Sequence, residues 1–332
     1  MSLFARLKNF VAINFPAAYE VFYRLRHKVK LEDLGAAFYV HSNDFTDYVR
    51  LKKSEDFALK VPLDFNYPPV DFKIAAIVHI FYPELAAELK NLLLNIPCAV
   101  DVYISTTSPD KKFAIESVFG DFGKGNVIVE IFPNRGRDIA AAFVGFKEVY
   151  KNYDVCIHLH SKKSPHDEKR LAGWRDYLYK NFLGSSEIVS GILKILSNEK
   201  VGAVFPQYFA PMRVLINWGE NYSMTKDFLR GLNIEIDNRH LIEFPAGSMF
   251  WFKPKALAPL LESGLTFEDF PEERGQVDGT IAHAIERAFL FIVEAAGFTW
   301  IKIDENSGLK SSSQTELDEN IFKAWHSVLK KY

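Results

Sequence analysis

From Lys73 onward the chain repeats one pattern: a short run rich in Val and Ile, a turn, then a segment with apolar residues at helical spacing. KIAAIVHI (73–80) precedes a helical stretch that opens at Pro83 and carries Leu85, Leu89 and Leu93 on one face. AVDVYIST (99–106) precedes KKFAIESVF, NVIVEIF (126–132) precedes DIAAAFVGFKEVY (138–150), and VCIHLH (155–160) is a fourth run. Short apolar runs separated by helix-length segments bury their surface best in a parallel sheet covered on both sides. The expected fold is α/β, a mainly parallel Rossmann-like sheet with helices on both faces.

Past the fourth run the pattern loosens but persists. DEKRLAGWRDYLYKNFLG reads as a helix closed by Gly184, and SSEIVSGILKILSN as another with a serine cap. VGAVFP (201–206) reads as a strand, FPAGSMFWFKP (244–254) as a strand with Gly247 and Ser248 near its start, and FTWIKID (298–304) as the last strand. Between these, GQVDGTIAHAIERAFLFIVEAAG (275–297) reads as one long helix. VPLDFNYPPVDF, ending near Pro68-Pro69, reads as a linker. The expected division is an N-terminal helical segment and linker over 1–71, the α/β domain over 72–310, and a C-terminal helix over 311–332.

Composition narrows the partners. The 332 residues are 48% hydrophobic, too apolar for a disordered chain, and carry 40 Lys+Arg against 42 Asp+Glu. A net charge of −2 gives no global field for nucleic acid, so none is expected as a partner. Cys98 and Cys156 lie in apolar surroundings, which suits reduced thiols and a cytoplasmic location. Residues 1–30 hold Arg6, Lys8, Arg24, Arg26, Lys28 and Lys30 against Glu20 alone, with Leu3, Leu7, Phe10 and Val11 on one helical face. That face suits packing on the domain or on a partner, or peripheral contact with the inner face of a membrane. The segment has neither a spanning apolar stretch nor a signal-peptide cleavage pattern.

Ligands of parallel α/β sheets bind at the carboxyl ends of the strands. The first two runs end at His79 and Thr106, and the third at Asn134-Arg135-Gly136-Arg137-Asp138. Two guanidinium forks flanking a glycine suit a phosphate or diphosphate, with Asp138 placed to cap the next helix. Alternatively Gly136 supplies a left-handed turn and the arginines are solvated or paired with acids. The fourth run ends in His158-Leu159-His160-Ser161-Lys162-Lys163-Ser164-Pro165-His166. His158 and His160 share one strand face. From there to Arg175 stand Lys162, Lys163, Lys169, Arg170 and Arg175 against Asp167 and Glu168, an anion cradle or a solvated basic loop. No acid or cysteine completes a familiar metal spacing, so no metal is assigned. Asp278, with Ile281, Ala282 and Ile285 as apolar neighbours, suits a partly desolvated general base or a helix cap, with Glu272 and Glu273 as rivals. No P-loop, GxSxG or HExxH pattern is present.

NRGRDIAAAF, IHLHSKKSPH with a downstream GWRDYL, FPAGSMFWFKPKAL and FPEERGQVDGTIAHAIER occur in this order between Lys73 and Asp304. Together they resemble the rhamnan-synthesis protein F family. The resemblance implies a GT-A-like glycosyltransferase of bacterial surface polysaccharide synthesis. It would use an activated sugar such as dTDP-rhamnose and act with inversion, with Asp278 as the acid that deprotonates the acceptor. It also implies a glycan or lipid-linked glycan as acceptor. GT-A enzymes usually hold a divalent cation with an Asp-x-Asp pair after the fourth strand; here that place reads His158-Leu159-His160. Either His160, Lys162, Lys163 and Arg137 stabilise the leaving group without metal, or the protein is not a transferase.

The donor side is therefore expected to comprise His79, Thr106, Asn134, Arg135, Gly136, Arg137, Asp138, His158, His160, Lys162, Lys163, Ser164 and His166. The acceptor side would comprise Trp174, Arg175, Gly247, Ser248 and Trp251. The rival reading is a non-catalytic module that binds glycan or nucleotide sugar within a synthase assembly, with Trp174, Trp218 and Trp251 as stacking platforms. No cofactor is expected besides the nucleotide-sugar substrate, and a divalent metal is the alternative.

Overall fold

The computed structural model describes residues 57–161, 173–219, 221–236, 242–274 and 278–329. The basic helix expected over 1–30 lies outside the described residues, as do Lys162, Lys163, Ser164 and His166. The described strands form one sheet in the order β1-β8-β6-β7-β5-β2-β3-β4. They are β1 (Leu59–Lys60), β2 (Ile74–His79), β3 (Val100–Thr106), β4 (Val127–Ile131), β5 (Val155–His160), β6 (Val201–Pro206), β7 (Phe250–Phe252) and β8 (Thr299–Asp304). All neighbours are parallel except β7, which runs antiparallel to both β5 and β6. Every residue of β2, β6 and β8 is buried, which is why β2 and β6 read as near-continuous apolar runs.

Helices cover both faces. On one lie α1 (Ala86–Leu93), α2 (Pro109–Phe119), α4 (Trp174–Leu183), α5 (Ser186–Leu196) and α9 (Gln314–Leu329). Leu89, Ile115, Phe182, Ile192 and Leu317 carry them into one core cluster. On the other lie the short α3 (Arg137–Ala140), α6 (Tyr222–Gly231), α7 (Ala258–Leu261) and α8 (Ile281–Ala295). Their core is aromatic, with Phe143, Phe250, Phe252 and Phe289 in mutual ring contact. No described helix is long and apolar enough to cross a membrane.

The structure departs from the expected elements in five places. Residues 57–63, expected within the linker, add β1 to the sheet and bury Leu59, Val61 and Leu63 in the core. The stretch 244–254 forms only the three-residue β7, and Gly247 and Ser248 precede it in a turn. The helix expected over 138–150 breaks into α3, a wider π-turn at Ala141–Gly145 and a 3-10 turn at Val149–Asn152. The helix before Gly184 begins, within the described chain, at Trp174 behind a left-handed Gly173. The helix expected from 275 begins at Ile281, where Thr280 is the N-cap and His283 completes a capping box. Asp278 therefore lies ahead of the cap and does not serve as one.

Candidate functional site

The strand order reverses between β2 and β5, because β2 leads to β3 and β4 on one side while β5 adds on the other. The crevice at the carboxyl ends of two such strands is where α/β sheets bind ligands. Register places His79, the last residue of β2, opposite His160, the last of β5, with His158 opposite Ile77. Asp138, on the first turn of α3, is directed at these imidazoles: its Oδ2 lies 3.7 Å from His158 Nε2. The expected capping role of Asp138 is not what the structure has, since Gly136 occupies the N-cap and Asp138 is buried within the helix.

Each imidazole is fixed by one ring nitrogen. His79 Nδ1 meets Ser105 Oγ at 2.9 Å, His158 Nδ1 meets the Ser248 carbonyl at 2.6 Å, and His160 Nε2 meets the Gly247 carbonyl at 2.8 Å. A carbonyl only accepts, so His158 carries its proton on Nδ1 and, when neutral, turns a lone pair toward Asp138. Asp138 Oδ2 and His158 Nε2 are both buried without a hydrogen-bond partner. Burial pushes the His79 and His158 pKa values down to about 4, against the pull of the Asp138 carboxylate. Burial opposes the charge of Asp138, but His160, His158 and His79 together hold its pKa at about 2. At neutral pH an ionised Asp138 carboxylate therefore lies beside neutral His79 and His158 imidazoles.

This arrangement predicts acid sensitivity. The unfolded chain protonates His79 and His158 near 6.5 and the folded chain only near 4, so the unfolded state binds more protons between those values. Stability is then lost as pH falls through that window, by up to about 1.4 kcal/mol per pH unit for each histidine. Asp138 adds a loss only below its ordinary value of 3.8. Glu294 opposes the histidines: burial raises its pKa to about 7, although Trp300 donates to it, so the folded state holds that proton between 4.5 and 7. Thermal melts from pH 7 to 5 should show a net fall in Tm, and Glu294→Gln should steepen it. A flat profile in both proteins would show that the histidines are not buried neutral.

The second half of the site is a turn at Gly247 and Ser248, whose φ values are +87° and +59°. His160 and His158 donate to its two carbonyls from β5. From α8, Glu286 Oε1 accepts the Gly247 N–H at 2.8 Å and the Ser248 hydroxyl at 3.4 Å. The buried Arg287 guanidinium follows, 3.6 Å from Glu286 and 3.7 Å from Asp278, stacked on Phe244 and donating to the Asn217 and His283 carbonyls. Asp278 Oδ1 also accepts from Asn221 Nδ2 at 2.6 Å, and the Asp278 side chain keeps 20% of its surface exposed. Asn221 and Arg287 thus fix the orientation of this part-exposed carboxylate.

The arginine loop is zipped to the FPEER segment. Arg135 donates to the Phe270 carbonyl at 2.9 Å and reaches Glu272 at 3.4 Å, while Arg137 pairs with Glu273 at 3.2 Å. Asn134 accepts the Glu273 N–H through its carbonyl. The arginines are thus paired with acids, and Glu272 and Glu273, the rival bases, are committed to them. Arg137, with a left-handed φ of 54° and 40% of its side chain exposed, also meets His283 Nε2 at 3.4 Å. It reaches the α8 end where Asp278 lies.

Other expected residues stand elsewhere. Thr106 is fully buried and donates to the Ile80 carbonyl, and His79 is 8% exposed, so neither presents an open surface to a donor. Trp251 and Trp218 are fully buried in the two cores and cannot serve as sugar-stacking platforms. Trp174 packs beside Gly247 over a small apolar cavity lined by Tyr208, Met212 and Met249. Arg175 pairs with Glu88 and Asp176 rather than joining the cluster. Sequence reasoning missed Asn221, Glu286 and Arg287, because a helical acid and arginine in adjacent positions read as a solvated pair.

Among the described residues no group of three His, Cys, Asp or Glu is arranged to hold a metal ion. His158 and His160 spend one nitrogen each on the Gly247–Ser248 turn.

Comparison with known proteins agrees with these motifs. Two proteins called "Uncharacterized protein WxcX", from Xanthomonas campestris pv. campestris strains B100 and ATCC 33913, are 28% and 27% identical over 242 residues. The match takes in 72% of this chain but 34% of each relative, so the chain spans about a third of their length. A solved 4-diphosphocytidyl-2C-methyl-D-erythritol synthase overlays on 77% of the chain and 99% of its own at 11% identity and a TM-score of 0.35, too low a similarity to carry an argument. The family described as "Rhamnan synthesis protein F" matches residues 60–298, which includes the switch-point crevice, the Gly247–Ser248 turn and α8; this chain belongs to the rhamnan synthesis protein F family.

Proposed function

We propose that the chain is an inverting glycosyltransferase of bacterial surface polysaccharide synthesis. It would take a sugar, rhamnose being the family's suggestion, from a nucleotide-sugar donor to a glycan or lipid-linked glycan acceptor. The acceptor oxygen attacks the anomeric carbon as the bond from that carbon to the diphosphate oxygen breaks. The hydroxyl proton passes to the Asp278 carboxylate, and the nucleoside diphosphate leaves. The observation that carries this reading is Asp278 itself, released from helix capping by Thr280, oriented by Asn221 and Arg287, and with 20% of its side chain exposed. The burial of Trp218 and Trp251 removes two of the three platforms on which the rival binding-module reading rests.

On this reading the diphosphate meets Arg137 and the lysines that follow His160. Donor binding should weaken steadily with added salt, because the attraction is between charges at a partly exposed rim. Arg137→Ala should weaken nucleoside diphosphate binding by about tenfold or more, the worth of one hydrogen bond between charged groups. Calorimetric titration at two salt concentrations tests both. Equal affinity in the variant would remove Arg137 from the donor site.

A further inference from the structure

Among the described residues, the non-glycine positions with left-handed φ are Arg137, Asn233 and Ser248, and two of these belong to the site. Backbone held in such regions costs free energy and persists where the surroundings over-determine it. At Ser248 the surroundings are unusually complete. The Ser248 N–H closes a turn onto the Pro245 carbonyl, His158 and His160 bind the carbonyls on one side, and Glu286 binds the Gly247 N–H and the Ser248 hydroxyl on the other. Glu286 is the member of this clamp supplied by α8. Its side chain is 14% exposed and its other oxygen faces Arg287, which also faces Asp278.

We infer that Glu286 is a positioning residue of this site: it sets the Gly247–Ser248 turn and, through Arg287, ties that turn to Asp278. One chain of contacts then runs from Asp138 through His158, the turn, Glu286 and Arg287 to Asp278, joining the crevice at β2 and β5 to the proposed base on the approach to α8. Nothing in this chain requires Glu286 to touch a substrate. Its carboxylate is saturated by the turn and the guanidinium, and its effect is geometric. The effect on turnover rests on the glycosyltransferase reading; the clamp itself does not.

The two parts are tested separately with Glu286→Ala and Glu286→Gln. The amide oxygen of Gln still accepts the Gly247 N–H, whereas Ala leaves that N–H unpaired. Hydrogen exchange at the Gly247 amide should accelerate at least tenfold in Glu286→Ala and stay near wild type in Glu286→Gln. Unchanged exchange in Glu286→Ala overturns the clamp whether or not the protein transfers sugar. In the wild-type transfer assay, Glu286→Ala should lower kcat about tenfold or more with KM little changed, and Glu286→Gln should recover part of it. Accelerated exchange with kcat and KM both unaltered in a turning-over enzyme overturns the positioning role and leaves the glycosyltransferase reading intact. A wild-type protein that transfers nothing, yet shows the exchange pattern, keeps the clamp and removes the reading.

Discussion

Replacing Asp278 by Asn should cut turnover by about 10²–10⁴, the usual worth of a positioned proton acceptor, while donor affinity stays near wild type. The amide keeps an oxygen that can accept from Asn221, as Asp278 now does at 2.6 Å, so the loop should hold its shape. Melting temperature should change little in Asn or Ala variants for a second reason: Thr280, not Asp278, caps α8. Arg287 keeps Glu286 as an anionic neighbour in either variant. Full activity in Asp278→Asn would pass the role to Glu272 or Glu273. Each of those would first have to leave its arginine, Arg135 or Arg137.

Gly136→Ala should be among the most destabilising single changes in the molecule. Gly136 has φ +62°, and an added Cβ would stand 2.3 Å from the Phe270 ring and 2.7 Å from the Ala140 Cβ. The left-handed conformation costs a β-carbon about 1–2 kcal/mol, and overpacking adds about 1–3 kcal/mol. The sum, about 2–5 kcal/mol, corresponds to a fall in Tm on the order of 10 °C. Gly264→Ala is the control: φ is +77° there but nothing lies within 4 Å, so it should show the conformational part alone. Equal losses at the two positions would mean that the contact with Phe270 is not tight, and that the arginine loop is free to move away from the FPEER segment.

The sheet was legible because its strands are buried on both faces, which leaves near-continuous apolar runs such as IAAIVH and VGAVFP. Direction was not legible for β7, because three buried aromatic residues carry no periodicity that distinguishes a parallel from an antiparallel neighbour. β1 is two residues long, too short for any period, and Pro62 and Pro68-Pro69 around it are punctuation marks of a linker. In the site, strand ends and glycine-bearing loops pointed to His79, His160, the Arg135–Asp138 loop and the Gly247–Ser248 turn. What these residues do there depended on partners more than 80 residues away in sequence, as with His158 and Ser248 or Arg135 and Phe270. Tryptophan misled for a related reason: the same side chain serves as a stacking platform or as core, and only burial decides between them. Trp218 and Trp251 are core.

The most direct test of the proposed transfer is the release of nucleoside diphosphate from a panel of nucleotide sugars, measured with acceptor glycan and excess EDTA, with the anomeric configuration of the product read by NMR. Release should depend on acceptor, survive the chelator, and yield a product of configuration opposite to the donor's. A nucleotide sugar that raises the melting temperature yet is never consumed would contradict it and identify a binding module. Release abolished by EDTA and restored by Mn²⁺ or Mg²⁺ would contradict the metal-free cradle of Arg137, His160 and the lysines that follow.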